Sequence, residues 1–76
     1  MKSEDEMRFI RLQEVLIKTS IPKSTLMFMV ADGEFPAPID ISTRSRAWLS
    51  SEVIFWMKAK IDERDRKIAE GQLKNE

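Results

Sequence analysis

The chain has 76 residues, enough for one domain with a marginal core. It contains neither cysteine nor histidine, which excludes a disulfide framework and the usual zinc sets and removes the commonest general base. No apolar run approaches the roughly 20 residues that span a bilayer, and the polar, acidic stretch Met1 to Met7 is unlike a secretory signal. A cytoplasmic chain without cofactor or metal is expected, and nothing points to an enzyme.

Charge is balanced at 13 basic and 13 acidic residues, but its distribution is uneven. Residues 1–7 hold one basic and three acidic groups and read as a disordered acidic tail. Residues 8–48 hold six basic groups (Arg8, Arg11, Lys18, Lys23, Arg44, Arg46) against four acidic ones (Glu14, Asp32, Glu34, Asp40). The remainder carries six of each. The positive excess therefore lies in the middle of the chain.

Taken in order, Phe9-Ile10 is a short apolar entry. Leu12, Val15, Leu16 and Thr19 recur at helical spacing and predict a helix over about Gln13 to Thr19. Ser20-Ile21-Pro22 breaks it, and proline suits the start of the next helix, about Lys23 to Asp32. Leu26, Met29 and Val30 form the apolar stripe of that second helix, and Gly33 supplies a left-handed stop. Pro36 and Pro38 force an extended connection. Ile39-Asp40-Ile41 and Arg46-Ala47-Trp48-Leu49 then read as two strands around the polar turn Ser42 to Ser45. Ile39, Ile41 and Trp48 are candidates for the packed face of that hairpin. Ser50 suits the N-cap of a third helix, with Glu52 at its positive end and Val53, Trp56, Met57 and Ile61 at core spacing. The mixed charges beyond Ile61 favour pairing one turn apart, Asp62 with Arg66 and Glu63 with Lys67. Gly71 is a plausible end, and residues 71–76 read as a frayed tail.

Two short helices, a tight turn, a hairpin and a closing helix predict an α+β, mainly helical fold over residues 8–70: a winged helix-turn-helix. In that arrangement the second helix enters the major groove of DNA and the hairpin is the wing. Lys23 can neutralise a phosphate, and Ser24 and Thr25 can hydrogen-bond phosphate oxygens; the competing reading is that these hydroxyls only satisfy the helix start. Met27 and Phe28 occupy the outward face with Ser24 and Ala31. They suit thymine methyls or packing on the wing, the tail or another protomer. Thr43, Arg44, Ser45 and Arg46 at the wing tip suit backbone phosphates or a minor groove, against the alternative of a solvated turn. Trp48 and Trp56 read as core.

Five segments in order carry a resemblance. They are Arg11 to Val15, Thr19 to Leu26, Asp32 to Ile39, Arg44 to Trp48 and Ser51 to Trp56. Over residues 8–61 the chain resembles the AlpA family of small phage and prophage regulators, which are similar to winged-helix excisionases and MerR-type DNA-binding domains. The resemblance implies binding of double-stranded DNA through the second helix and the wing. It also implies a role in transcription control of a mobile element, or in directing an integrase towards excision. The chain departs from the family pattern at Met27, Phe28, Ala31, Glu34, Ile54 and Phe55, which are apolar or acidic where the family is commonly aromatic, basic or polar. These surplus apolar groups imply self-association through Phe55, Ile54 and Phe28. The alternative is that Ile68 or Leu73 folds back over Phe55. A protein-interaction module with weak DNA affinity is the competing function.

Overall fold

The computed structural model describes residues 7–71. Its elements are β1 (Phe9–Ile10), α1 (Leu12–Thr19), α2 (Lys23–Ala31), β2 (Ile39–Ser42), β3 (Ser45–Leu49) and α3 (Ser50–Ala69). Three helices and a small antiparallel sheet of order β1-β3-β2 form the expected α+β winged helix-turn-helix. Most of both expected tails, and Leu73, lie outside the described residues.

The turn between α1 and α2 is tight. Ser20 takes the left-handed conformation at φ 61° and closes α1 through its N–H to the carbonyl of Leu16 at 2.8 Å. Thr19 Oγ1 donates to the carbonyl of Val15 at 2.8 Å and accepts from the N–H of Ile21 at 3.3 Å. The chain is thereby fixed as it enters Pro22, whose carbonyl accepts the first bond of α2 from Leu26 at 2.9 Å. At the other end of α2, Gly33 sits at φ 80°. Its N–H reaches Val30 at 3.2 Å and the N–H of Glu34 reaches Met29 at 2.8 Å, the paired bonds of a Schellman stop.

The short N-terminal apolar pair is a strand, which the sequence does not announce. Phe9 pairs with Leu49 and Ile10 with Trp48. Ser50 locks the end of this ladder instead of capping its own helix. It is buried; its N–H donates to the carbonyl of Arg8 at 2.8 Å and its Oγ accepts from the N–H of Arg8 at 3.0 Å. The cap position falls to Leu49, which offers no side-chain cap.

One core joins the three helices, β1 and β3: Ile10, Val15, Leu26, Phe35, Trp48 and Val53 are buried together, with Leu16, Met29, Val30, Trp56 and Met57 packed around them. Phe35 is the member with no sequence signal. It lies in the connection after α2, and the two indoles hold that connection in place. Trp56 Nε1 donates to the carbonyl of Glu34, and Trp48 Nε1 to the carbonyl of Pro36, each at 2.7 Å. Phe35 meets Trp56 edge-on, with ring centroids 4.8 Å apart. Trp56 is only half-buried, and the Lys60 ammonium covers part of its ring at 5.5 Å.

Two apolar positions, Ile41 and Ile61, depart from the expected core. Ile41 is 44% exposed. The register advances by one residue between Asp40, opposite Arg46, and Ser42, opposite Ser45, so Ile41 is the extra residue of a bulge and leaves the packed face that Ile39 keeps. Thr43 and Arg44 both have negative φ, so the tip is not the left-handed turn that matches strand twist, and a bulge is the usual remedy. Ile61 is 48% exposed and Ile68 36%, because α3 runs on past the last core turn at Met57. Among the described residues the ion pairs on that outer half are Lys60–Glu63 at 3.3 Å and Arg64–Asp65 at 2.8 Å, instead of those expected one turn apart. Lys67 and Arg66 are still close enough to help Lys60 hold the Glu63 carboxyl below its ordinary range, chiefly through the hydrogen bond from Lys60.

The two tryptophans should therefore differ in weight. Truncating buried Trp48 to Ala is expected to cost about 3–5 kcal/mol, comparable with the whole stability of so small a domain, ~5 kcal/mol. Half-buried Trp56→Ala should cost clearly less. Thermal melts followed by circular dichroism should show no cooperative transition for the first variant and a lowered, still cooperative one for the second.

Candidate nucleic-acid interface

Two groups of predicted site residues are exposed on separate elements. Lys23, Ser24 and Thr25 form the first turn of α2, and all three are exposed. Proline at the cap position supplies no capping side chain, and neither hydroxyl bonds the helix start, so the purely capping reading of Ser24 and Thr25 fails. The turn contains no acidic residue, and Lys23 makes no ion pair among the described residues. Its backbone N–H groups and hydroxyls are thus available to an anion.

The second group is the wing. Thr43 and Arg44 are its exposed two-residue tip, and Ser45, half-buried, begins β3. Arg44 has no ion-pair partner among the described residues. Arg46 differs: its Nε lies 3.1 Å from Asp40 Oδ1 across the β2–β3 pair, with both side chains mostly exposed. A pair this open is worth little and is easily exchanged for another anion. Arg8 is likewise paired with Glu14, at 2.6 Å.

The outward face of α2 is apolar. Leu26 is buried and Met29 and Val30 are half-buried, so the helix turns Ser24, Met27, Phe28 and Ala31 outward, with Met27 37% and Phe28 67% exposed. Phe55, on α3, is 75% exposed, and Ile54 is half-buried. Ile68 does not cover Phe55.

Phe55 lines an open groove of about 590 Å³ between α3 and the connection that leads from α2 into β2. Pro36, Ala37 and Ile39 form one wall, and Trp56 and Ala59 join Phe55 on the other. Sequence reading found Phe55 but not the groove, because the connection is brought against α3 by contacts distant in sequence, the Trp56 bond to Glu34 and the edge-on contact of Phe35 with Trp56. Phe28 is not among the groove residues, so the apolar surplus divides into two patches. Among the described residues there is no cluster able to hold a metal ion, and no helix is long and apolar enough to cross a membrane.

If these phenylalanines are surface groups, Phe28→Ser and Phe55→Ser should each change stability by no more than about 0.5 kcal/mol. A larger drop in chemical denaturation would show that the ring is covered within its own chain.

Comparison with known proteins is consistent with this geometry. Residues 8–61 match the family described as prophage CP4-57 regulatory protein (AlpA). The chain is also similar to uncharacterized protein ORF88 of Enterobacteria phage P4, with 37% identity over 59 residues, 78% of this chain and 67% of that protein. No solved structure matches.

Proposed function

Because the chain belongs to the AlpA family of prophage regulatory proteins, we propose that it is a sequence-specific regulator that binds double-stranded DNA through α2 and the wing. The observation that carries the proposal is the first turn of α2. A helix start whose hydroxyls and lysine have no partner among the described residues, directly after the tight turn of a helix-turn-helix, suits a phosphate and a groove edge. Lys23, Ser24 and Thr25 take one part of the backbone, and Thr43, Arg44, Ser45 and Arg46 another. Met27 and Phe28 face the bases. The protein acts for a phage or other mobile element, in transcription control, in directing an integrase towards excision, or in both.

Lys23, Arg44 and Arg46 supply three phosphate contacts, so log–log plots of affinity against salt should have a slope of roughly −3. Arg44→Ala should flatten that slope by about one unit and weaken binding to all duplexes alike. An unchanged slope would remove Arg44 from the interface.

A second reading is favoured by one observation, the apolar groove beside Phe55 in a chain of zero net charge. Taken alone it suits a protein-interaction module with weak DNA affinity. We combine the two: copies of the chain bind neighbouring stretches of DNA and touch through the Phe55 patch, with Ile54 beside it. One module covers a short site, and proximity raises the effective concentration of the next copy. Phe55→Ser should then abolish cooperativity in a titration of tandem sites while leaving single-site affinity and melting temperature unchanged. Full cooperativity in that variant would exclude the patch.

A further inference from the structure

We infer that α2 distinguishes its DNA site mainly by seating thymine methyl groups against Phe28 and Met27, and not by hydrogen bonds to base edges. The inference rests on the DNA-binding reading above and concerns how the site is read.

It begins with what the helix lacks. From Lys23 to Ala31 there is no Arg, Asn, Gln, Asp or Glu. These residues, with lysine, make the directional contacts that identify guanine, adenine and cytosine in the major groove. Lys23 stands at the first turn, where its ammonium suits a phosphate, and Ser24 and Thr25 discriminate weakly because a hydroxyl both donates and accepts. The rest of the outward face is Met27, Phe28 and Ala31. A face of this composition leaves purine edges unsatisfied, at a cost, since a buried donor or acceptor without a partner is unfavourable.

Thymine offers the one large apolar feature of the groove, its 5-methyl group. Phe28, at 67% exposure, presents most of a ring, and Met27 adjoins it with a flexible thioether that adapts to an uneven surface. Ala31, one turn beyond Met27 and Phe28, is small enough to let the helix approach closely. Charge along the helix favours DNA over an apolar protein partner: Lys23 precedes the face, and α2 itself contains no acidic residue, the nearest being Asp32 at its C-cap. Phe28 also lies outside the groove beside Phe55, so assembly between copies does not need it.

Uracil pairs as thymine does and lacks only the methyl group, so it isolates the contact. The full chain is used to select a duplex from a randomised library. Each thymine of the selected duplex is then replaced by uracil in turn, and binding is measured at fixed salt. At one or more positions the replacement should weaken binding about fourfold, the value of one buried methyl group. In Phe28→Ala, once its circular dichroism has been matched to the wild type, the thymine and uracil duplexes should bind alike, while the salt slope keeps its wild-type value. If uracil is tolerated at every position yet binding remains salt-dependent, the DNA-binding reading stands and the methyl readout is overturned. If Phe28→Ala retains the uracil penalty, or instead lowers self-association alone, the assignment of this face to thymine is overturned. Absence of salt-dependent binding to any duplex would overturn both readings.

Discussion

The fold depends on a three-residue strap, Glu34-Phe35-Pro36, held between two indoles. α2 and the wing share few other means of alignment, since they stand at opposite ends of this connection. The Schellman stop at Gly33 turns the chain, Phe35 enters the core, and the carbonyls on either side accept from Trp56 and Trp48. Proline at positions 36 and 38 explains why side chains perform this task. A proline offers no N–H for a ladder, so the strap cannot join the sheet as a regular strand. Donor-only indoles are well suited to carbonyls left over in this way. The placement of the wing relative to α2 therefore rests on three aromatic residues, Phe35 of the connection, Trp48 of β3 and Trp56 of α3.

Most of the helical organisation was legible in the sequence because it is written locally. Apolar spacing, Pro22 and Gly33 mark α1 and α2 to within a residue at each end. What was not legible depends on partners distant in sequence. A two-residue strand cannot show alternation, so β1 is visible only once β3 is beside it. Phe35 sits in a segment with no period at all. Ile41 and Ile61 have the right spacing for burial and fail for different reasons, one displaced by a bulge and the other carried beyond the core by a helix longer than its packing partners. Ser50 looks like a cap and is a ladder end.

The candidate interface follows the same division. Residue types and their order identified the first turn of α2 and the wing tip as chemically suited to phosphates. Only the structure shows that, among the described residues, the hydroxyls of Ser24 and Thr25 are not spent on the helix start, that Arg46 is paired with Asp40 and that Arg44 has no such partner. It also separates two apolar patches that are adjacent in a residue list and distinct in space.

The two hydrogen bonds between Arg8 and Ser50 join residues 42 apart in sequence. A strand of two residues contributes little by itself and must repay the entropy of closing that whole intervening loop. The helical pair and the hairpin each form from near neighbours and can be in place early. β1 has nothing to pair with until β3 exists, so its pairing cannot precede the wing. On a ribosome the same arithmetic delays completion: the first residues of the domain wait, unpaired, until the chain has been made through Ser50 and has cleared the exit tunnel.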